Sequence, residues 1–148
     1  DRSVILRDEA WFVVPPGHAL ANRSASLRDI VKEPFVLREE GSSMRETLMS
    51  LCRASGVDSP AIGLEVNGLQ ETIRMIAAGC GAGFVSSIEV QAAVQRGEVA
   101  RVEVEEGLGI TNIIAVYKRE GDHLPPAAER FYRSMLELAN SAGHPGHP

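Results

Sequence analysis

Five residues of this chain, Ser42, Ser43, Asn67, Gly68 and Ser86, have the groups and the setting to hold a small polar molecule. Ser42 and Ser43 close the turn Glu39-Glu40-Gly41-Ser42-Ser43, Asn67-Gly68 makes a second turn, and Ser86 follows the apolar pair Phe84-Val85. Each turn stands between a short apolar run and an amphipathic stretch, so each opens a helix at the carboxyl end of a strand. The first N–H groups of a helix lack intrahelical partners and carry the positive end of its dipole. Open α/β sheets take their ligands at such strand ends. Hydroxyls, an amide and free N–H groups are the donors that a polar or anionic ligand needs.

Simpler roles compete for the same residues. Ser43 has Glu46 three positions on, the spacing of a capping box, and a cap by itself is worth about 1 kcal/mol. Asn67 is expected to be the N-cap of the next helix, with Gly68 allowing a tight bend. Ser86 and Glu89 repeat the capping spacing. Glu39 and Glu40 weigh against a highly charged anion unless they point outward, whereas Arg45, one turn into its helix, is placed to offset them. Each helix end favours an anion by only about 0.3–1 kcal/mol, while micromolar affinity takes about 8 kcal/mol. An opposing surface must supply the remainder, so this piece alone is expected to bind weakly or not at all.

The elements that position these turns follow from spacing. Trp11-Phe12-Val13-Val14 is a β-type run stopped by Pro15-Pro16-Gly17. Ser26-Leu27-Arg28-Asp29 opens a brief helix expected to end near Lys32. Strand Phe35-Val36-Leu37 precedes a helix with Leu48, Leu51 and Cys52 on one face, ending at Gly56. Strand Leu64-Glu65-Val66 leads to a helix whose stripe is Leu69, Ile73, Ile76, Ala77 and Cys80, stopped at Gly79. After Phe84-Val85 comes a helix through Val94, then Ala100, Val102 and Val104 alternate with charged residues as a half-exposed strand. Strand, helix and strand in succession imply a parallel sheet wrapped by helices. Past Gly107, Ile113 to Tyr117 reads as a strand, and Ala128, Phe131, Tyr132, Met135 and Ala139 as one helix face. One strand and one helix cannot enclose a core, so with Val4-Ile5-Leu6 they belong to a second, incomplete lobe.

The 148 residues have the composition of a soluble globular chain, with 44% hydrophobic and 24% charged residues. Fifteen Lys and Arg against twenty Asp and Glu give a net charge of -5 without a basic cluster, which argues against direct DNA binding by these residues. Cys52 and Cys80 lack metal-ligand spacing and are expected to be buried free thiols in a reducing cytoplasm. No apolar run approaches the roughly 20 residues of a membrane span. The start at Asp1 suggests an excised piece of a longer product.

Enzymatic signatures are missing. His18 and His123 fall in loops, and His144 and His147 in a Gly/Pro/His-rich tail; paired carboxylates, a G-x-S-x-G elbow and a P-loop do not occur. Gly79-Cys80-Gly81-Ala82-Gly83 follows a helix and precedes a strand, the reverse of the dinucleotide fingerprint, so its glycines read as a helix stop and close packing. No catalytic residue, metal or cofactor is expected.

Three phrases carry a family likeness. FVVPPGHALA at 12–21, FVLREEGSSMR at 35–45 and MIAAGCGAGFV at 75–85 stand in the order and spacing of three stretches common in LysR-type transcriptional regulators. Nearly the whole chain, about 4 to 138, resembles their effector-binding domain, truncated. The resemblance implies an α/β, periplasmic-binding-protein-like fold with one complete parallel-sheet subdomain and part of a second. On that reading 1–13 is a remnant of the first subdomain and a crossover strand, and 14–107 is the second subdomain. Residues 108–139 are the returning strand and helix of the first, and 140–148 a disordered tail. It further implies a small-molecule effector, a homodimer or higher oligomer, and contact with DNA only through a helix-turn-helix module outside these residues. A cytoplasmic protein without membrane contact is expected. The rival reading is a fragment of a two-lobed solute-binding protein.

Overall fold

Side chains alternating between two cores organise the molecule. In the computed structural model, residues 2–107 and 111–118 are described, together with Pro126, Arg130, Arg133, Ser134 and Glu137. Two compact units result, one of Glu9–Ile110 and one of Asp1–Asp8 with Thr111–Pro148. Strand β1 (Arg2–Val14) begins in the latter unit and continues into the former.

Within Glu9–Ile110 the order is β2 (Ser24–Ala25), α1 (Leu27–Ile30), β3 (Phe35–Arg38), α2 (Ser43–Ser55) and β4 (Ile62–Val66). Then come α3 (Leu69–Ala77), β5 (Gly83–Ser86), α4 (Ser87–Gln95) and β6 (Ala100–Val104). β1 lies between β5 and β6, antiparallel to both, with Phe12 opposite Phe84 and Val102. β2 is parallel to β6, and β3 is parallel to β4. A parallel bridge from Phe35 to Ala82 sets β5 beside β3, closed by Ala82 N–H to the Pro34 carbonyl at 2.9 Å and Val36 N–H to the Ala82 carbonyl at 2.8 Å. The α/β class holds. The crossover strand makes the sheet mixed rather than wholly parallel.

Strand period two sends Phe12, Phe35, Leu37 and Phe84 to one face, where Leu48 and Cys52 of α2 and Leu27 and Ile30 of α1 cover them. Val13, Val36 and Val85 point to the other face and meet Ile73 and Ile76 of α3 and Val90 and Ala93 of α4. Phe12 is the hub of the first core, edge-on to Phe35 at 6.1 Å and tilted against Phe84 at 4.8 Å between ring centroids. Burial pushes the Cys52 thiol pKa up and keeps it protonated.

Several element ends differ from expectation. α1 stops at Ile30, since Val31 already caps it, and β1 extends well upstream of Trp11. β2 has only two residues and no alternation to read. α3 ends at Ala77, and Gly79 with φ 94° turns the chain off the helix. Cys80 therefore leaves the apolar stripe and is exposed, against the expectation of a buried thiol. In the other unit, β7 (Thr111–Lys118) pairs with β1, and Pro126, Arg130, Arg133, Ser134 and Glu137 are helical and exposed. The expected inner face of that helix and the 140–148 tail lie outside the described residues.

The glycines at 81 and 83 act as close-packing residues. A Cβ on Gly83 would collide with Ile76, and one on Gly81 would lie 2.6 Å from the Pro34 carbonyl oxygen, where β5 meets β3. Gly81→Ala is expected to cost about 1–3 kcal/mol in urea unfolding, as an overpacked site does. Gly17→Ala, where a Cβ meets nothing within 4 Å, is expected to stay within about 0.5 kcal/mol.

Candidate functional site

The turns after β3, β4 and β5 stand side by side because their strands do. Arg38 pairs with Val66 and Phe35 bridges to Ala82, so counting forward puts Asn67 and Ser86 level with Glu39, one on each side of β3. α2 leaves toward the Phe12 core while α3 and α4 leave toward the Val13 core. Neighbouring loops that depart to opposite faces of a parallel sheet open a crevice between them. All five expected residues, Ser42, Ser43, Asn67, Gly68 and Ser86, border this end of the sheet.

An ion pair occupies its middle. Arg38 Nε donates to Glu39 Oε1 at 2.9 Å and Nη2 to Oε2 at 3.3 Å, a forked geometry. The Arg38 hydrogen bond holds the Glu39 carboxyl below its usual range, helped by the backbone N–H groups of Glu39 and Gly68. Arg38 is held above its ordinary value, first by the bond to Glu39, with the more distant charges of Glu89 and Glu71 adding to it. Glu71 and Glu89 belong to the first turns of α3 and α4. Three helix starts thus share one electrostatic neighbourhood.

Arg45 plays a different part from the one expected. Its Nη1 donates to the Arg38 carbonyl and to Glu65 Oε1, both at 2.8 Å, with the side chain only 11% exposed. It fastens the first turn of α2 to the ends of β3 and β4, while Glu39 is neutralised by its neighbour Arg38. Sequence reading missed Arg38 because it ended the strand at Leu37 and gave the next residue no role, whereas β3 runs through Arg38 and the fork forms where it ends.

The caps move by one residue. Ser42, not Ser43, is the N-cap of α2, its Oγ accepting from Arg45 N–H at a long 3.5 Å. Ser43 is the exposed first residue of the helix. Gly68 with φ 106°, not Asn67, is the N-cap of α3, and it carries no side-chain cap. The cap shifts because Gly68 reaches a φ that Asn67 would adopt only with strain. Asn67 is exposed, and its amide has no hydrogen-bond partner among the described residues. Ser86 caps α4 but is buried, 7% exposed, so only the lip of that turn faces outward.

Elsewhere, a groove of about 330 Å³ runs between α3 and α4 over Ile73, Ala77 and Ala93, rimmed by Arg74 and Arg96. It contains none of the five residues. Among the described residues no cluster of His, Cys, Asp and Glu could hold a metal ion, and no helix is long and apolar enough to cross a membrane. His18 Nδ1 accepts the Leu20 N–H and its Nε2 pairs with Glu33 at 2.7 Å, which gives the PPGHALA phrase a structural role.

An α/β lobe with helix starts gathered at one sheet end is a ligand-binding architecture. Its family is shown by comparison: the LysR substrate binding domain matches residues 1–140, and the chain belongs to that family. An uncharacterized HTH-type transcriptional regulator of Methanocaldococcus jannaschii is 28% identical over 92% of this chain and 47% of its own. The regulator CbbR of Xanthobacter flavus is 32% identical over 82% of this chain and 37% of its own. The chain therefore spans less than half the length of these curated relatives, which are transcriptional regulators. Among solved structures, the Synechocystis PCC6803 CcmR regulatory domain in complex with 2-PG superposes with a TM-score of 0.69 at 19% identity. That match covers 98% of this chain and 69% of that one. The effector-binding domain of QuiR in complex with shikimate gives 0.61 at 19% identity, covering 94% and 66%. These likenesses establish the α/β, periplasmic-binding-protein-like fold.

The lowered Glu39 pKa fixes the sign of one pH effect. The Arg38–Glu39 contribution to stability is present above the ordinary carboxyl value of 4.5 and is lost as pH falls through the depressed folded value. Carboxyl carbon NMR titration should show Glu39 titrating low in the parent chain and returning toward the ordinary range in Arg38→Gln. An unchanged Glu39 titration in that variant would contradict the pairing.

Proposed function

We propose that this chain is the effector-sensing domain of a LysR-type transcriptional regulator, with its ligand at the shared end of β3, β4 and β5. The observation that carries the proposal is the strand register that sets the helix starts after β3, β4 and β5 side by side at one sheet end, in a chain of this family. Ser42, Ser43, Asn67, Gly68 and Ser86 supply hydroxyl, amide and N–H donors for a small polar or anionic effector. The free Asn67 amide contributes most directly, because no contact within the described residues must be broken to use it. Glu39 and Arg38 set the charge: a second anion competes with the resident carboxylate, so a singly charged or polar effector suits the site better than a highly charged one.

Residues 14–107 form the second subdomain on this reading, 1–13 are a remnant of the first and the crossover strand, and 108–139 are the returning strand and helix of the first. Effector binding favours one arrangement of the subdomains over another, and the response is limited to the difference in affinity for the two. That bias sets how subunits of a homodimer or higher oligomer pair, and thereby how helix-turn-helix modules elsewhere in the cytoplasmic parent protein meet DNA. CcmR and QuiR are held with 2-PG and shikimate, which makes these the first probes.

Calorimetric titration of the complete regulatory domain with 2-PG and shikimate tests the assignment. For whichever binds, Asn67→Ala is expected to weaken affinity at least about fivefold, the worth of one ligand hydrogen bond. Ser42→Ala is expected to weaken it similarly and also to lose about 1 kcal/mol of stability as its cap goes. Affinities unchanged within twofold in both variants would place the site elsewhere.

A further inference from the structure

The first residues of the Glu9–Ile110 unit are gripped by contacts that run from the start of α4 to β6. Strand β1 enters the unit between Asp8 and Glu9. The Glu9 N–H donates to Ser87 Oγ at 3.2 Å, and the next residue, Ala10, stands opposite Ser86 in the β1–β5 register. At the other end of the same residue, Trp11 Nε1 donates to Glu9 Oε1 at 2.9 Å. The Arg101 guanidinium lies 4.2 Å from the Trp11 ring centroid, with Nη2 3.9 Å from the same Glu9 oxygen and Nη1 3.6 Å from Glu103. Arg101 Nε is buried without a hydrogen-bond partner among the described residues, and the cation over the ring face adds an attraction to these ion pairs. The Arg101 carbonyl accepts Asn22 N–H at 2.9 Å, which fixes the arginine from behind.

Glu9 is therefore held by its backbone to the first residue of α4, and by its carboxylate to β1 and β6. We infer that this cluster is a relay: the Ser87 hydroxyl joins the start of α4 to the crossover strand at Glu9, and Trp11 and Arg101 hold that point so that movement of α4's first turn reaches the strand. The relay serves a ligand only on the reading that assigns Ser86 to the effector site. Its physical basis is a direct path: one hydrogen bond and one register pair separate the cap of α4 from the residue at which β1 changes units. A ligand that draws on the α4 start acts on Glu9 and Ala10 without deforming the Val90 and Ala93 packing, which, like any close-packed core, resists small displacements. Glu9, Ser87 and Arg101 are positioning residues in this scheme.

Trp11 is the one tryptophan of the chain, so intrinsic fluorescence reads this cluster directly. The 148-residue chain, without ligand, is compared with Ser87→Ala and Ser87→Thr by amide hydrogen exchange and Trp11 emission. In Ser87→Ala the Glu9 amide is expected to exchange about tenfold faster or more, as a freed local hydrogen bond allows. Trp11 emission moves to the red, while Phe12 and Val13 amides, paired within the sheet, stay within about twofold. Ser87→Thr, which keeps the hydroxyl, restores both readouts. An unchanged Glu9 amide in Ser87→Ala, or a faster one with unchanged Trp11 emission, overturns the relay. Because no ligand is present, this outcome is independent of whether Ser86→Ala weakens 2-PG or shikimate binding, which tests the site itself.

Discussion

Alternation along β1, β3 and β5 is the constraint from which the rest follows. Phe12, Phe35, Leu37 and Phe84 on one face and Val13, Val36 and Val85 on the other divide the interior into two cores. A shift of one residue in any of these strands would exchange the two sets and bury the wrong face of a helix. These three phenylalanines fall on one side, where α1 and α2 pack, and the Val13 face, which also takes Trp11, receives α3 and α4. Helices on opposite faces must leave the strand ends in opposite directions, and the crevice is the space they leave between them. Packing, rather than any polar residue, shapes this end of the sheet.

Charges of both signs gather at this end of the sheet. Three helix starts bring partial positive charge to one place, yet Glu39, Glu71 and Glu89 bring carboxylates to the same neighbourhood. Arg38 pairs with Glu39, and Arg45 fixes the α2 turn through the Arg38 carbonyl and Glu65.

Much of the framework was legible in the chain. Alternation at Ala100 to Val104, the Ser26 cap, the Gly56 stop and the reversed order around Gly79 to Gly83 each rest on local chemistry, and local chemistry decided them. The capping assignments slipped by one residue at Ser42 and Gly68 because neighbouring serines, or an Asn-Gly pair, offer two cap positions of similar worth, and the tertiary fit selects between them. Cys80 was misplaced for a related reason: the helical stripe continues in the sequence past the residue where Gly79 ends the helix. The antiparallel insertion of β1 and the Arg38–Glu39 fork were beyond reach, since sequence periodicity carries no strand order and a pair formed at a strand end depends on where that strand ends. The five candidate residues were chosen from turn chemistry and stand together at one end of the sheet; their role toward a ligand is a matter for binding experiments.

Amide chemical-shift mapping of the complete regulatory domain, titrated with 2-PG or shikimate, addresses the central claim most directly. If packing has built the recognition crevice at the ends of β3, β4 and β5, the largest changes fall at Glu39 to Ser43, Asn67 to Leu69 and Ser86 to Ile88. Changes concentrated instead along the α3–α4 groove, at Arg74, Ala92 and Arg96, with those three turns silent, would contradict it.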